Sequence, residues 1–444
     1  MGPRHTPERS PHPALALVLG LLLALGLAGV ARAQDEVTIR GQVGQTLGFF
    51  LTEGSRLNGD EIGDEITWGP GQVSLNRTHY QLQFERRFGW EAAGHISLKG
   101  YWDAGVAGLE ALKGVANGDS STLLELDQAY VDLYSDLTDF RIVRQRIAWG
   151  TADGFNPTSY FSPLTLDLTR GLEGLVQPVT AIRTSTYFNV GTLSVVIVPA
   201  FEPSEWERVL QDETGLSVTA VNVKDYENPG EIGLQFDTFY RGTSLYLSYF
   251  NGYEDQPVVW PVVSEGEANL HGAWRREQKV GLAAATAWRG FTLWGEGTYT
   301  FPGRVEGLDE QRAGQIWGPT KPYPTAVLGV DYLFPRGIRA ELQYIYNGRG
   351  SLLKIFNESD VPAGQYLMGL ASIPLTDDQT LELLALDSLR DDSRVLVPTY
   401  RYQLTPTTQA SLSLILVDGG PASEVGQKHL SDLDQLTLAV TVRF

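Results

Sequence analysis

The sequence predicts a transmembrane antiparallel β-barrel, and three features of the chain lead there. Apolar and polar residues alternate with a period of two in one segment after another. The connections between these segments alternate between very short and long polar ones. An export signal opens the chain.

The signal is read first. Arg4 and Arg9 precede an apolar run from Ala14 to Val30, and Ala31–Ala33 ("ARA") forms a small-x-small cleavage site. Cleavage is expected after Ala33, which leaves residues 34–444 to form the barrel. Losing the three arginines and one glutamate of residues 1–33 takes the formal charge from −19 to −21. So acidic a chain is a poor partner for a phosphate backbone, and nucleic acid is excluded. The chain has no cysteine, so neither a disulfide scaffold nor a thiolate metal site is available.

Period-two alternation is clearest at the C-terminus, where Leu436, Leu438, Val440, Val442 and Phe444 share one face and Gln435, Thr437, Thr441 and Arg443 the other. It recurs in Ile232–Tyr240, Ala326–Phe334, Ile338–Tyr346, Tyr80–Phe84 and Ile96–Trp102. Strands are expected near 37–50, 73–87, 89–102, 123–134, 138–149, 178–189, 190–200, 230–241, 242–252, 277–288, 290–301, 323–334, 337–347, 366–375, 379–388, 394–404, 407–418 and 433–444. The segments within 366–388 alternate poorly. Short turns such as Phe88-Gly89, Arg241-Gly242 and Arg289-Gly290 face the periplasm in this reading, and the long connections lie outside. Trp90, Tyr134, Phe140, Tyr187, Phe188, Tyr240, Trp288, Phe291 and Phe334 cluster near the short turns, where rings suit a membrane interface. Eighteen strands put both chain ends on one side, with 16 as the alternative. The first strand begins a few residues behind the cleavage site, so no plug domain is expected.

A barrel this wide leaves a watery lumen that its own side chains do not fill. The polar face must then point inward. Three arginines crowd one strand: Arg141, Arg144 and Arg146. A turn at Asp136-Leu137 pairs residues whose numbers sum to 273. This sets Asp127 opposite Arg146, Ala129 opposite Arg144, and Asp132 opposite Arg141. Glu125, Asp127, Arg144 and Arg146 are then expected in the lumen. Tyr130, Val143, Leu126, Ile147 and Trp149 are expected on the lipid side, where Gln128 and Gln145 also meet. Asp132–Arg141 falls at the interface. Arg77, Glu85 and Lys99 of the preceding hairpin and Arg183 of the following strand join the inner set. A guanidinium is always charged and grips carboxylate or phosphate with two parallel bonds. Such a wall is either a filter for polar solutes or simply paired charge lining a wet surface.

The long connection after Trp149 carries Pro157 and Pro163, and Phe155, Tyr160, Phe161, Leu164 and Leu166 give it apolar anchors. It is expected to fold back into the barrel mouth, with Asp153, Asp167 and Arg170 beside the passage. Packing on neighbouring external loops is the other reading.

"RIVRQRIAWG" followed by "FNPTSYFSP" resembles the "GRQ-x-x-x-WG…NP" signature of porin-like outer-membrane barrels, the alginate-export-like and related families. Val143 stands where that signature often has Gly. The terminal Phe444 resembles the assembly signal of outer-membrane barrels and implies the barrel assembly machinery as a partner. The resemblance implies an outer-membrane location and passage of polar or anionic solutes.

The histidines show no metal-ligand spacing and there is no GxSxG element, so neither an enzyme, a cofactor nor a metal site is expected. The expected function is passive or selective diffusion of small polar solutes, anionic ones included, along an arginine-lined lumen in contact with outer-membrane lipid, as a monomer or an oligomer. The alternatives are an export conduit for an anionic polysaccharide or metabolite, and a structural or adhesive surface barrel.

Overall fold

The computed structural model describes residues 37–444 apart from segments 58–64, 104–120, 162–176, 202–217, 221–229, 265–266, 306–315, 354–356, 358–360 and 427–433. The expected signal segment, 1–33, lies outside the described residues.

Eighteen strands form one sheet: β1 (Thr38–Phe50), β2 (Val73–Phe88), β3 (Ala92–Asp103), β4 (Ser121–Leu133), β5 (Thr138–Gln145), β6 (Val179–Phe188), β7 (Gly191–Val198), β8 (Glu231–Tyr240), β9 (Thr243–Tyr253), β10 (Arg276–Trp288), β11 (Phe291–Pro302), β12 (Tyr323–Leu333), β13 (Arg339–Asn347), β14 (Gly364–Pro374), β15 (Gln379–Ser388), β16 (Arg394–Thr405), β17 (Thr408–Asp418) and β18 (Gln435–Arg443). Each pairs antiparallel with its chain neighbours. The ring closes where Gly44 of β1 lies opposite Thr441 of β18, while the other edge of β1 sets Val43 opposite Tyr80 of β2. All 18 expected strands are present, 366–388 included. The one marked difference is β5, which stops at Gln145 rather than at 149.

Alternation sorts the two faces. Leu247, Leu282, Leu328, Leu342, Leu412 and Leu438 stand out from successive parts of the ring and are exposed. Their strand neighbours Ser248, Ala283, Val327, Glu341, Ser413 and Thr437 lie on the inner face. An outer band of leucine and valine is costly in water and at ease in hydrocarbon. A closed ring leaves no strand edge without partners. This is a transmembrane barrel. Rings crowd the short-turn end of its outside: Trp90, Tyr187, Phe188, Tyr240, Trp288 and Phe334 are all exposed there. Among the described residues the one helical element is the single turn Pro335–Gly337, and no plug domain is present.

The short connections are built for sharp reversal. Arg241-Gly242 and Arg289-Gly290 join their strands with positive φ at both residues (49° and 86°; 51° and 88°), the two-residue geometry whose twist matches that of the strands. A Cβ at Gly242 meets nothing within 4 Å, so its constraint is conformational. Gly242→Ala is expected to cost about 1 kcal/mol, checked by the urea midpoint of refolding into lipid vesicles.

At the long-loop end, Val258–Ser264 and Glu267–Ala273 form a hairpin joined in parallel by Val218–Ala220. Val258, Trp260, Ala273 and Ile316 make its small core.

Candidate functional site

The inner wall of β2–β6 is where the sequence concentrates charge. The pairing of β4 with β5 follows the expected register, with Ala129 opposite Arg144, Tyr130 opposite Val143 and Asp132 opposite Arg141. The faces differ from expectation. Between β3 and β4 the register shifts after Ser97, which leaves Asp127 as an extra residue on β4. A bulge of this kind turns the following residues over. Tyr130 and Asp132 therefore join Glu125 and Asp127 on the inner face. On β5 Val143 has a φ of 94°, unusual for a β-branched residue, while its register with both neighbouring strands runs on unbroken. It stands at the position where the signature often has Gly. Beyond it Ile147 and Trp149, expected on the lipid side, are buried in an inner apolar core. Gln145 is buried and donates to the Ala181 carbonyl (3.0 Å), while Gln128 accepts from the Arg146 amide (3.2 Å). Neither faces lipid.

Two clusters result. Asp127, fully buried, accepts from both terminal nitrogens of Arg146 (2.5 and 3.0 Å), from Ser97 (3.3 Å), and lies 3.2 Å from Lys99 Nζ, which is also 3.7 Å from Glu125. Nearer the short turns, Asp132 takes a two-pronged grip from Arg141 (2.7 and 2.9 Å). The Arg141 guanidinium lies 3.9 Å over the Tyr130 ring, which stacks on His95, itself 3.4 Å from Glu85. Arg183 sits directly opposite Arg141 in the β5–β6 register. Arg77 lies over the Tyr101 ring. Arg144 Nε donates to the Leu126 carbonyl (3.2 Å). Asp167 and Arg170 lie outside the described residues.

The chain after β5 turns inward. At Gly150 φ is 99°, and a Cβ there would stand within 2.4 Å of Asn156, Glu296 and Thr158 atoms, so the reversal requires glycine. Residues 150–161 then run along the inside of the ring. Trp149, Tyr160 and Phe161 pack on Phe250, Val196 and Val198, with Phe161 edge-on to Phe250 at 5.4 Å. The Tyr160 hydroxyl pairs with Ser248 (2.8 Å). Further round, Phe155 and Ala152 rest on Trp294, Val327, Ile345, Tyr366 and Met368. Between these two apolar footholds stands Glu296 of β11, whose Oε2 accepts from the Thr151 amide (2.7 Å) and the Thr158 hydroxyl (3.1 Å). At the far end the Asp153 carbonyl accepts from Gln343 (2.9 Å), and its carboxylate meets Arg339 (3.4 Å). Asp331 and Glu341 also lie within 4 Å of that guanidinium.

Neither a family model nor a curated protein sequence matches the chain. Solved structures do resemble it. One is OccD3 of Pseudomonas aeruginosa, at 10% identity over 92% of this chain and 91% of that one, TM-score 0.48. Another is OmpF of Salmonella typhi, crystallised with daunomycin, at 10% identity over 92% and 98%, TM-score 0.42. A third is a loop-deleted OmpT, an outer membrane protein of Vibrio cholerae, at 8% identity over 93% and 100%, TM-score 0.43.

Glu296, Arg339 and Glu341 were not singled out from the sequence. Glu296 is the one acid of β11, set between Gly295 and Gly297 on the polar parity of "WGEGTYT". A lone carboxylate among inward threonines was the available signal. The mouth has its own buried charge. Just beyond β9, Glu254 is bound by Arg275 (2.7 Å) and Arg349 (2.9 Å). Burial alone would push its carboxyl up, and the two guanidiniums outweigh it and hold the group below the ordinary carboxylate value.

Proposed function

We propose that the chain is an outer-membrane porin, a passive channel for small polar solutes. The observation that carries this reading is the segment 150–161, laid along the inner wall and fixed at both ends. Among the described residues it covers one side of the lumen, and the other side, from β16 through β1 to β4, lines the passage in this reading. Arg77, Lys99 and Arg146 with Glu125 and Asp127 bound that passage on one flank. Asp153, Arg339 and Glu341 bound it on the other. Opposed charges across a narrow aqueous gap orient and filter polar solutes, and the cationic flank favours anions.

Residues 1–33 act as the export signal in this reading. Phe444 serves recognition by the assembly machinery: its backbone closes the ring on Gly41 through two bonds of 2.9 Å, while its ring is exposed at the short-turn end.

The test is planar-bilayer recording of the refolded mature protein. Discrete ohmic steps are expected in potassium chloride. Under a salt gradient the reversal potential of Lys99→Gln/Arg146→Gln should move towards cation preference. Absence of current in any salt would sink the channel, and an unmoved potential would remove these cations from the passage.

A further inference from the structure

The lipid-facing side of the barrel seam carries a polar group. On β1 the inner residues include Gln42, which donates to the inner Gln81, and Gly44, where a Cβ would meet His79 and Thr441. A Cβ at Gly41 would instead meet Phe444 and Leu82 on the outside. Ile39, Val43, Gln45, Leu47 and Phe49 share the parity of Gly41 and face outward. On β2 Gln45 lies opposite Thr78, and Leu47 opposite Asn76. Gln45 Nε2 donates to Asn76 Oδ1 (2.8 Å), and Gln45 Oε1 accepts from the Thr78 hydroxyl (2.5 Å). Two amides and a hydroxyl thus stand half-buried on the outer wall.

Apolar residues enclose this group on every side. Ile39 and Val43 lie towards the short turns, and Leu47 and Phe49 towards the long loops. Val440 of β18 lies opposite Gln45, and Trp102 of β3 opposite Thr78. The group is therefore within the hydrocarbon band rather than at its edge. Acyl chains offer no hydrogen-bond partner there. The two bonds use one N–H of Gln45 and the Thr78 hydroxyl, and the Asn76 amide donates in neither. An amide holds two N–H donors and an oxygen with two lone pairs, so the group keeps hydrogen-bonding capacity that lipid leaves unmet, at a cost. Elsewhere the ring presents Leu282, Leu328 or Leu412 to lipid.

We propose that Gln45, Asn76 and Thr78 form the centre of a homodimer interface, where a second copy of this chain docks about a two-fold axis along the membrane normal. Such an axis sets each residue against its own copy at the same depth. Donor and acceptor capacity in one amide makes the patch self-complementary: Asn76 of each copy donates to Asn76 of the other. Val440, Leu438 and Trp102 are exposed around it and form the rim that keeps lipid out. The patch holds no charge, so it offers a lipid phosphate no cation to pair with. The interface does not depend on what passes through the lumen.

The chain has no cysteine, so single cysteines report the contact cleanly. Thr78→Cys, refolded into phosphatidylcholine vesicles and oxidised, should give a disulfide-linked dimer. Leu328→Cys, exposed to lipid on the far side of the ring, should stay monomeric at the same protein-to-lipid ratio. In the cysteine-free background, Gln45→Leu/Asn76→Leu should raise the dimer dissociation constant about tenfold or more, read by energy transfer between copies labelled at the N-terminus. If that pair fails to refold, the two cysteine variants decide. A barrel that stays monomeric at every protein-to-lipid ratio overturns the interface, whatever lipid it retains. Equal cross-linking at both positions, or none at Thr78, overturns it as well. An unchanged dissociation constant in the leucine pair places the contact elsewhere and overturns the patch. A trimer overturns the two-fold pairing.

Discussion

Glu296→Ala is expected to release the segment 150–161 from the barrel wall and raise single-channel conductance, with the current becoming noisy. The carboxylate is buried, and its Oε2 is the acceptor shared by the Thr151 amide and the Thr158 hydroxyl. Deleting it leaves the Thr151 amide without its acceptor, while the Thr158 hydroxyl keeps Asn156 Oδ1 at 3.2 Å. Each buried donor without a partner costs about 1–3 kcal/mol. The two apolar footholds, Phe155 and Tyr160–Phe161, keep the segment attached at its middle and at its far end. The stretches around Thr151 and Thr158 then move about these anchors. Glu296→Gln keeps one carbonyl oxygen in place and should fall between wild type and alanine. Wild-type conductance in a folded Glu296→Ala barrel would show that the apolar contacts alone hold the segment.

That carboxylate also marks where the sequence stops being informative. Its partners are 145 and 138 residues away along the chain, and no local pattern announces them. The barrel itself was legible because its causes are local. Period-two alternation places each strand, and Arg-Gly or similar turns fix where it reverses. The same locality explains why the β4–β5 register could be read from the turn at Asp136-Leu137. The faces could not, because one extra residue at Asp127 inverts the parity of β4 beyond it and carries β5 with it through their unbroken register. Tyr130, with an apolar ring and a polar tip, satisfies either face on composition alone. Its place inside is decided by His95 and Arg141 on its two sides, both contacts across strands. On β14 and β15 the pattern was weak for another reason: around Leu367–Leu370 and Leu383–Leu386 both faces are apolar, so alternation had little to report.

Asp127→Ala should have the second large effect, and it separates stability from selectivity. The carboxylate has no exposed surface and two cations converge on it, Arg146 at 2.5 Å and Lys99 at 3.2 Å. Removing one partner of a buried ion pair costs about 3–5 kcal/mol, most of it the penalty of leaving charge uncompensated. Here the cations keep 30% and 22% of their side chains open to the lumen, so water recovers part of the loss. About 2 kcal/mol is the expected destabilisation after that discount, read as a lowered urea midpoint in vesicles. Selectivity should shift the other way from the Lys99→Gln/Arg146→Gln pair: two cations no longer cancelled by Asp127 raise the local potential, and the reversal potential moves towards anions. The double variant Asp127→Ala/Arg146→Ala distinguishes the causes. If the ion pair is what matters, it regains stability relative to Asp127→Ala, because the orphaned guanidinium is gone. If Asp127 serves chiefly to hold the bulge of β4 through Ser97, the double variant stays as unstable as the single one. Anion preference without lost stability would mean that water alone solvates both cations, and that the buried carboxylate sets the field in the passage without holding the wall together.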